Sequence, residues 1–141
     1  KDGISWKRVN NAFFVGHPGE WDDDMLWTME VSQADEGFEM FYTGLRLKDK
    51  GINQKIGRAV SDNLVDWEKV STDEELITTQ GPYYEDLKNN PREWLSFRDP
   101  FKFVHNDESY LLICARSAHG PTSRRGCVGL YKEVSLSICR H

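Results

Sequence analysis

Slid along itself by 72 residues without gaps, the chain matches itself at four places. Asp35-Glu36-Gly37-Phe38 falls on Asp107-Glu108-Ser109-Tyr110, and Met40–Gly44 falls on Leu112–Arg116. Ile56-Gly57 falls on Val128-Gly129, and Leu64 on Leu136. Each copy therefore gives an apolar strand, an acidic turn, a strongly apolar strand, a polar loop and an apolar-Gly strand. A chain that repeats such a unit stacks one sheet on the next, because neither copy can cover its own apolar faces.

Short apolar runs of period two dominate, and long helical stripes are absent. Candidate strands are Ala12–Val15, Met25–Val31, Phe38–Thr43, Lys55–Val60, Trp67–Val70, Phe101–His105, Tyr110–Ala115 and Cys127–Tyr131. Turn-formers such as Gly16-His17-Pro18-Gly19 and Asn106-Asp107 separate many of them. Pro82–Pro91 reads mainly as a long loop. The fold class is all-β, with antiparallel four-stranded blades of a partial propeller: a first blade region over 1–72 and a second over 73–141. Propellers close into rings of 4–8 blades. Two blades leave apolar faces open, so the expectation is a fragment or a homo-oligomer joined through its open blade faces. The second copy also decays at its end, where Cys139 replaces Trp67.

The charge narrows the partners. Lys plus Arg is 18 against 23 for Asp plus Glu, a formal net charge of −5. That balance argues against nucleic acid and against anionic membranes. No apolar run is long enough for a transmembrane helix, and Lys1–Trp6 is not a signal peptide, which leaves cytoplasmic and secreted locations both open. The three cysteines (Cys114, Cys127, Cys139) have no metal-ligand spacing. Cys114, inside an apolar run, is expected to be buried. No metal or cofactor is implied, since phosphate loops and metal-binding His pairs are absent.

Three motifs carry a resemblance. Ile56–Trp67 resembles the G-x-A-x-S-x-D-L-x-x-W blade signature of five-bladed-propeller glycoside hydrolases, families 43 and 32 and their relatives. Phe41-Tyr42-Thr43-Gly44 is similar to their F-Y-T-G strand, and Phe97-Arg98-Asp99-Pro100 to their F-R-D-P motif. These enzymes act on arabinans, xylans and fructans. The resemblance implies that Asp99 hydrogen-bonds sugar hydroxyls, tunes the acid and stabilises an oxocarbenium-like transition state, with Arg98 as a substrate or carboxylate partner. In the repeat alignment Asp99 falls on Trp27.

The chain departs from the pattern at two carboxylates. Glycoside hydrolysis needs an acid and a base or nucleophile with separated pKa values. The family's N-D-P aspartate finds no counterpart, and its acid Glu would lie beyond His141; Glu133 stands where blade-edge residues do. Hydrolysis by the chain alone is therefore not expected, and a non-catalytic carbohydrate-binding or self-associating module is the alternative. Further candidates for substrate binding are Trp21 and Asp23 of the Trp21-Asp22-Asp23-Asp24 element, and Arg116 and His119 of the basic loop Arg116–Arg125. Trp21 and Trp27 are large enough to stack on a sugar, although aromatics in such a repeat more often fill the core.

Overall fold

The computed structural model describes residues 2–79, 82–90 and 92–132. Its seven strands are β1 (Met25–Gln33), β2 (Phe38–Leu45), β3 (Lys55–Ser61), β4 (Glu68–Lys69), β5 (Arg98–His105), β6 (Glu108–Arg116) and β7 (Gly126–Lys132). They form two antiparallel sheets, β1-β2-β3-β4 and β5-β6-β7, joined by long loops and two short 3-10 turns. The chain is all-β, as its period-two pattern predicts. Among the described residues neither sheet closes on itself. Ala12–Val15 forms no strand and runs instead as irregular backbone that lays Phe13 against the first sheet. The segment from Pro82 to Asn90 is loop and turn, in line with its two asparagines and its proline. The end of the second copy, with Glu133, Leu136 and Cys139, falls outside the described residues.

Strand β2 is buried on both faces and organises the core. Phe41 and Ile56 face the second sheet and meet Phe97, Leu111, Ile113 and Ala115. Met40, Tyr42 and Ala59 point the other way, onto Trp21, Leu76, Phe13 and Trp67. Trp21 stacks on Tyr42 with ring centroids 5.4 Å apart, and its indole lies flat over the backbone of Gly44 and Gly57. A Cβ at either glycine would run into that indole, so these two positions require the smallest residue.

The pairing corrects the repeat by one residue. Tyr42 pairs with Gly57 in the first sheet as Ile113 pairs with Gly129 in the second. Trp27 pairs with Thr43 as Arg98 pairs with Cys114. The offset is thus 71 over the first two strands and 72 over the third, because the second copy's loop between them is one residue longer. Arg98, not Asp99, is the counterpart of Trp27, and Asp99 corresponds to Thr28. Both sheets carry a one-residue bulge at this point, between Trp27 and Met29 and between Arg98 and Phe101.

With that register the stacking has a direction. The Phe41 face of the first sheet packs on the Ile113 face of the second, and the Ile113 face corresponds to the Tyr42 face of the first. The sheets stack head to tail. The second sheet's remaining face carries Phe101, Cys114, Val128 and Leu130 to solvent. Cys114 is therefore exposed, contrary to its apolar surroundings in sequence: strand alternation turns Ile113 and Ala115 inward and Cys114 outward.

Between the sheets, buried Glu39 pairs with Arg58 at 3.0 Å and with Lys102. Glu30 lies on the same face, and one of its carboxyl oxygens has no hydrogen-bond partner among the described residues. Burial, reinforced by the charge of Glu39, pushes the Glu30 carboxyl above its ordinary value. Its folded form favours the proton, so its cost to stability appears as the pH rises through the folded pKa. Glu30→Gln is expected to stabilise the protein at pH 7, on the order of 1 kcal/mol, and to change little well below pH 4.5, where both states hold the proton. Urea unfolding at the two pH values measures the difference.

Candidate functional site

One end of both sheets gathers most of the residues singled out in the sequence. It is formed where β2 and β6 finish and β1, β3, β5 and β7 begin. Asp99 sits at the β5 bulge with φ of 58°, a left-handed conformation that Asp tolerates better than most residues. A residue before proline normally stays extended, so this backbone is strained and needs support. The support comes from the first sheet: the Asp99 N–H donates to buried Thr43 Oγ1 at 3.2 Å. Buried Gln54 holds the neighbouring residues, its Oε1 accepting from the Phe97 N–H at 3.0 Å and from Arg98 Nη1 at 3.2 Å. The bulge turns the Asp99 carboxylate outward, where its side chain is 42% exposed, with Arg98 Nε 3.6 Å away.

Thr43 also pairs across strands with Trp27, so Trp27 and Asp99 flank the same residue from different sheets. Trp27 is 37% exposed and its indole is part of the surface. Trp21 is placed elsewhere, buried in the core under the Gly44–Gly57 backbone. The acidic triplet next to it is built into the fold. Asp22 is buried, accepts the Tyr42 hydroxyl proton at 3.1 Å and binds Lys69 Nζ at 2.6 Å. Burial, with the Asp22 charge, pushes the Tyr42 hydroxyl well above its ordinary pKa and keeps it a donor. Asp23 accepts the N–H groups of Leu47 at 2.8 Å and Gly19 at 2.7 Å, which hold its carboxyl below the usual range. Among the described residues, no group of three or more His, Cys, Asp or Glu is arranged to hold a metal ion.

The same end holds a cluster that the sequence does not announce. Glu85, fully buried in the loop before β5, receives Arg116 through both oxygens, Nε at 2.8 Å and Nη2 at 3.2 Å. Arg125 Nη1 lies 3.2 Å away and Arg92 Nη2 3.7 Å away. The Glu85 N–H donates to the Arg116 carbonyl, so loop and strand are clamped by backbone and side chain together. Arg116 is thus a partner of Glu85 and of the Thr122 carbonyl. His119 lies exposed on the adjoining loop, its N–H on Ser117 Oγ at 3.2 Å. Sequence reasoning missed Thr43 as a support, and also Gln54, Glu85, Arg92 and Arg125. The T of F-Y-T-G was the one signal available, since the others come from loops without local pattern.

Burial pushes the Glu85 carboxyl up, but the hydrogen bonds of Arg116 and Arg125 and the charges of Arg116 and Arg92 outweigh it. The result is a carboxyl below its ordinary 4.5. A lowered folded pKa stabilises above the unfolded value and is lost as the pH falls through the folded one. Stability is therefore expected to drop below pH 4.5, and Glu85→Gln to flatten that limb while costing about 3 kcal/mol at pH 7, since it removes the buried charge that Arg116 and Arg125 pair with. Thermal unfolding across pH 2–7 reads both effects.

Comparison with known proteins returns no matching family model and no matching curated protein.

Proposed function

We propose that the chain is a glycoside-hydrolase-like module of propeller blades that binds carbohydrate at the sheet end carrying Asp99. The observation that carries this reading is the strained, outward-turned Asp99 at the β5 bulge, held by Thr43 and Gln54 and flanked by Arg98 and Trp27. A carboxylate fixed in this way accepts hydrogen bonds from sugar hydroxyls, Arg98 donates to ring or hydroxyl oxygens, and the exposed Trp27 indole suits the apolar face of a pyranose or furanose. These are the roles that the resemblance gives Asp99 and Arg98. The motifs also agree with blade packing: Phe41 and Tyr42 of F-Y-T-G fill the two cores, Thr43 holds Asp99, and Gly44 admits Trp21.

Hydrolysis requires two carboxyl groups about 5–10 Å apart, one an acid and the other a base or nucleophile. Glu85 supplies neither, because it is buried and held ionised by arginines. In this reading Asp99 binds and tunes, and the nucleophile or base and the acid come from further blades. Arabino-, xylo- and fructo-oligosaccharides are expected to bind in calorimetric titration, with Asp99→Asn weakening binding by about tenfold and leaving the melting temperature unchanged. Binding unaffected by Asp99→Asn sinks the reading. Turnover of chromogenic furanosides that disappears in the same variant extends it to catalysis.

The open face of the second sheet favours self-association as well. Phe101, Val128 and Leu130 are each more than half exposed on one side of one sheet. An isologous contact between two copies of this face removes them from water. Sedimentation velocity is expected to show a concentration-dependent dimer that Leu130→Lys converts to monomer; a monomer at every concentration rules the contact out.

A further inference from the structure

Within a chain of net charge −5, four arginines converge at the Asp99 end: Arg92, Arg98, Arg116 and Arg125. Against them stand two carboxylates, Glu85 and Asp99. Glu85 is saturated by Arg116 and Arg125, which hydrogen-bond both of its oxygens. The other two guanidinium groups are less committed. Arg92 lies 3.7 Å from Glu85, beyond hydrogen-bond reach, and otherwise donates to the neutral Ser96 hydroxyl. Arg98 donates to the neutral Gln54 amide and stands 3.6 Å from Asp99. Both side chains are partly exposed, 25% for Arg92 and 30% for Arg98, and the buried Arg92 Nε has no hydrogen-bond partner among the described residues. Arg92 is held in place by the Trp94 ring, 5.1 Å from its guanidinium carbon.

We propose that Arg92 and Arg98 form a subsite for an oxyanion, the carboxylate or phosphate of an acidic sugar. Planar guanidinium groups that are pre-positioned, whose own carboxylate partners stand at 3.6–3.7 Å in a cluster of four arginines to two carboxylates, suit a bidentate oxyanion. The like charges also repel one another: burial first, then Arg116 and Arg98, lower the Arg92 pKa. A bound anion relieves that repulsion. The subsite rests on the carbohydrate reading, since it selects among sugars for the rim that Asp99 and Trp27 line.

The test titrates the intact chain with glucuronate, glucose 6-phosphate, inorganic phosphate and glucose at low and high salt. An acidic sugar is expected to bind about tenfold tighter than glucose at low salt, with the gap closing as salt screens it. Arg92→Gln is expected to abolish the gap and leave glucose binding unchanged, whereas Arg92→Lys keeps part of it. Circular dichroism verifies that the variants fold, and Arg92→Lys against wild type serves if Arg92→Gln does not. Asp99→Asn separates the two readings, because removing a carboxylate beside Arg98 tightens anions while weakening neutral sugars. Acidic sugars that bind no tighter than glucose, or a gap that survives Arg92→Gln, overturn the subsite even if neutral sugars bind. Inorganic phosphate binding as tightly as the sugar phosphate overturns its sugar component.

Discussion

The contact between the β2-β3 face and the β5-β6 face sets everything else in this protein. Phe41 and Ile56 bury against Phe97, Leu111, Ile113 and Ala115, removing apolar surface that neither sheet can cover alone. Because Phe97 belongs to that core, the chain immediately after it is delivered to a fixed place. Residues 98 and 99 then reach Gln54, in the loop before β3, and Thr43 of β2. The strained Asp99 backbone persists because two sheets, not one, determine its position.

Polar groups follow the same division. At the far end of the interface, buried Glu39 is matched by Arg58 from its own sheet and Lys102 from the other. At the Asp99 end, Glu85 anchors a loop by collecting arginines from β6 and from two loops. The two clusters differ in balance. The first is balanced, Glu39 and Glu30 against Arg58 and Lys102, whereas the second has an excess of guanidinium. An acidic chain thus concentrates positive charge at the end where its strained carboxylate faces solvent.

Much of the architecture is legible in the residues. Seven of the eight strands expected from period-two runs and turn-formers are present, because alternation and turn chemistry are local. Ala12–Val15 fails for a reason local reading cannot supply: among the described residues no strand pairs with it, and Phe13 packs as a side chain instead. Cys114 shows the same limit in a smaller way. Its neighbours are all apolar, but only every second one can face the core. The site was half legible: Arg98 and Asp99 stand out through their motif, whereas Trp21 and Asp23, equally conspicuous, are used to pack and brace the first sheet. Gln54 and Glu85 carry no pattern, since their importance depends on loops that sequence leaves unplaced.

The repeat shows most clearly what each level of description decided. By itself the sequence determined two successive units of antiparallel strands, their acidic turns and their apolar-Gly third strands, because hydrophobic alternation over a fixed spacing admits little else. It could not fix the register between the units, since a one-residue difference in loop length is invisible to an ungapped comparison. Hydrogen-bonded pairing settled it, setting Arg98 opposite Cys114 as Trp27 is opposite Thr43. A shift of one residue moves every side chain to the other face of its sheet. That shift brings the Ile113 face onto Phe41, turns Cys114 to solvent and leaves Asp99, like Thr28, at a bulge where its carboxylate is partly exposed beside Arg98.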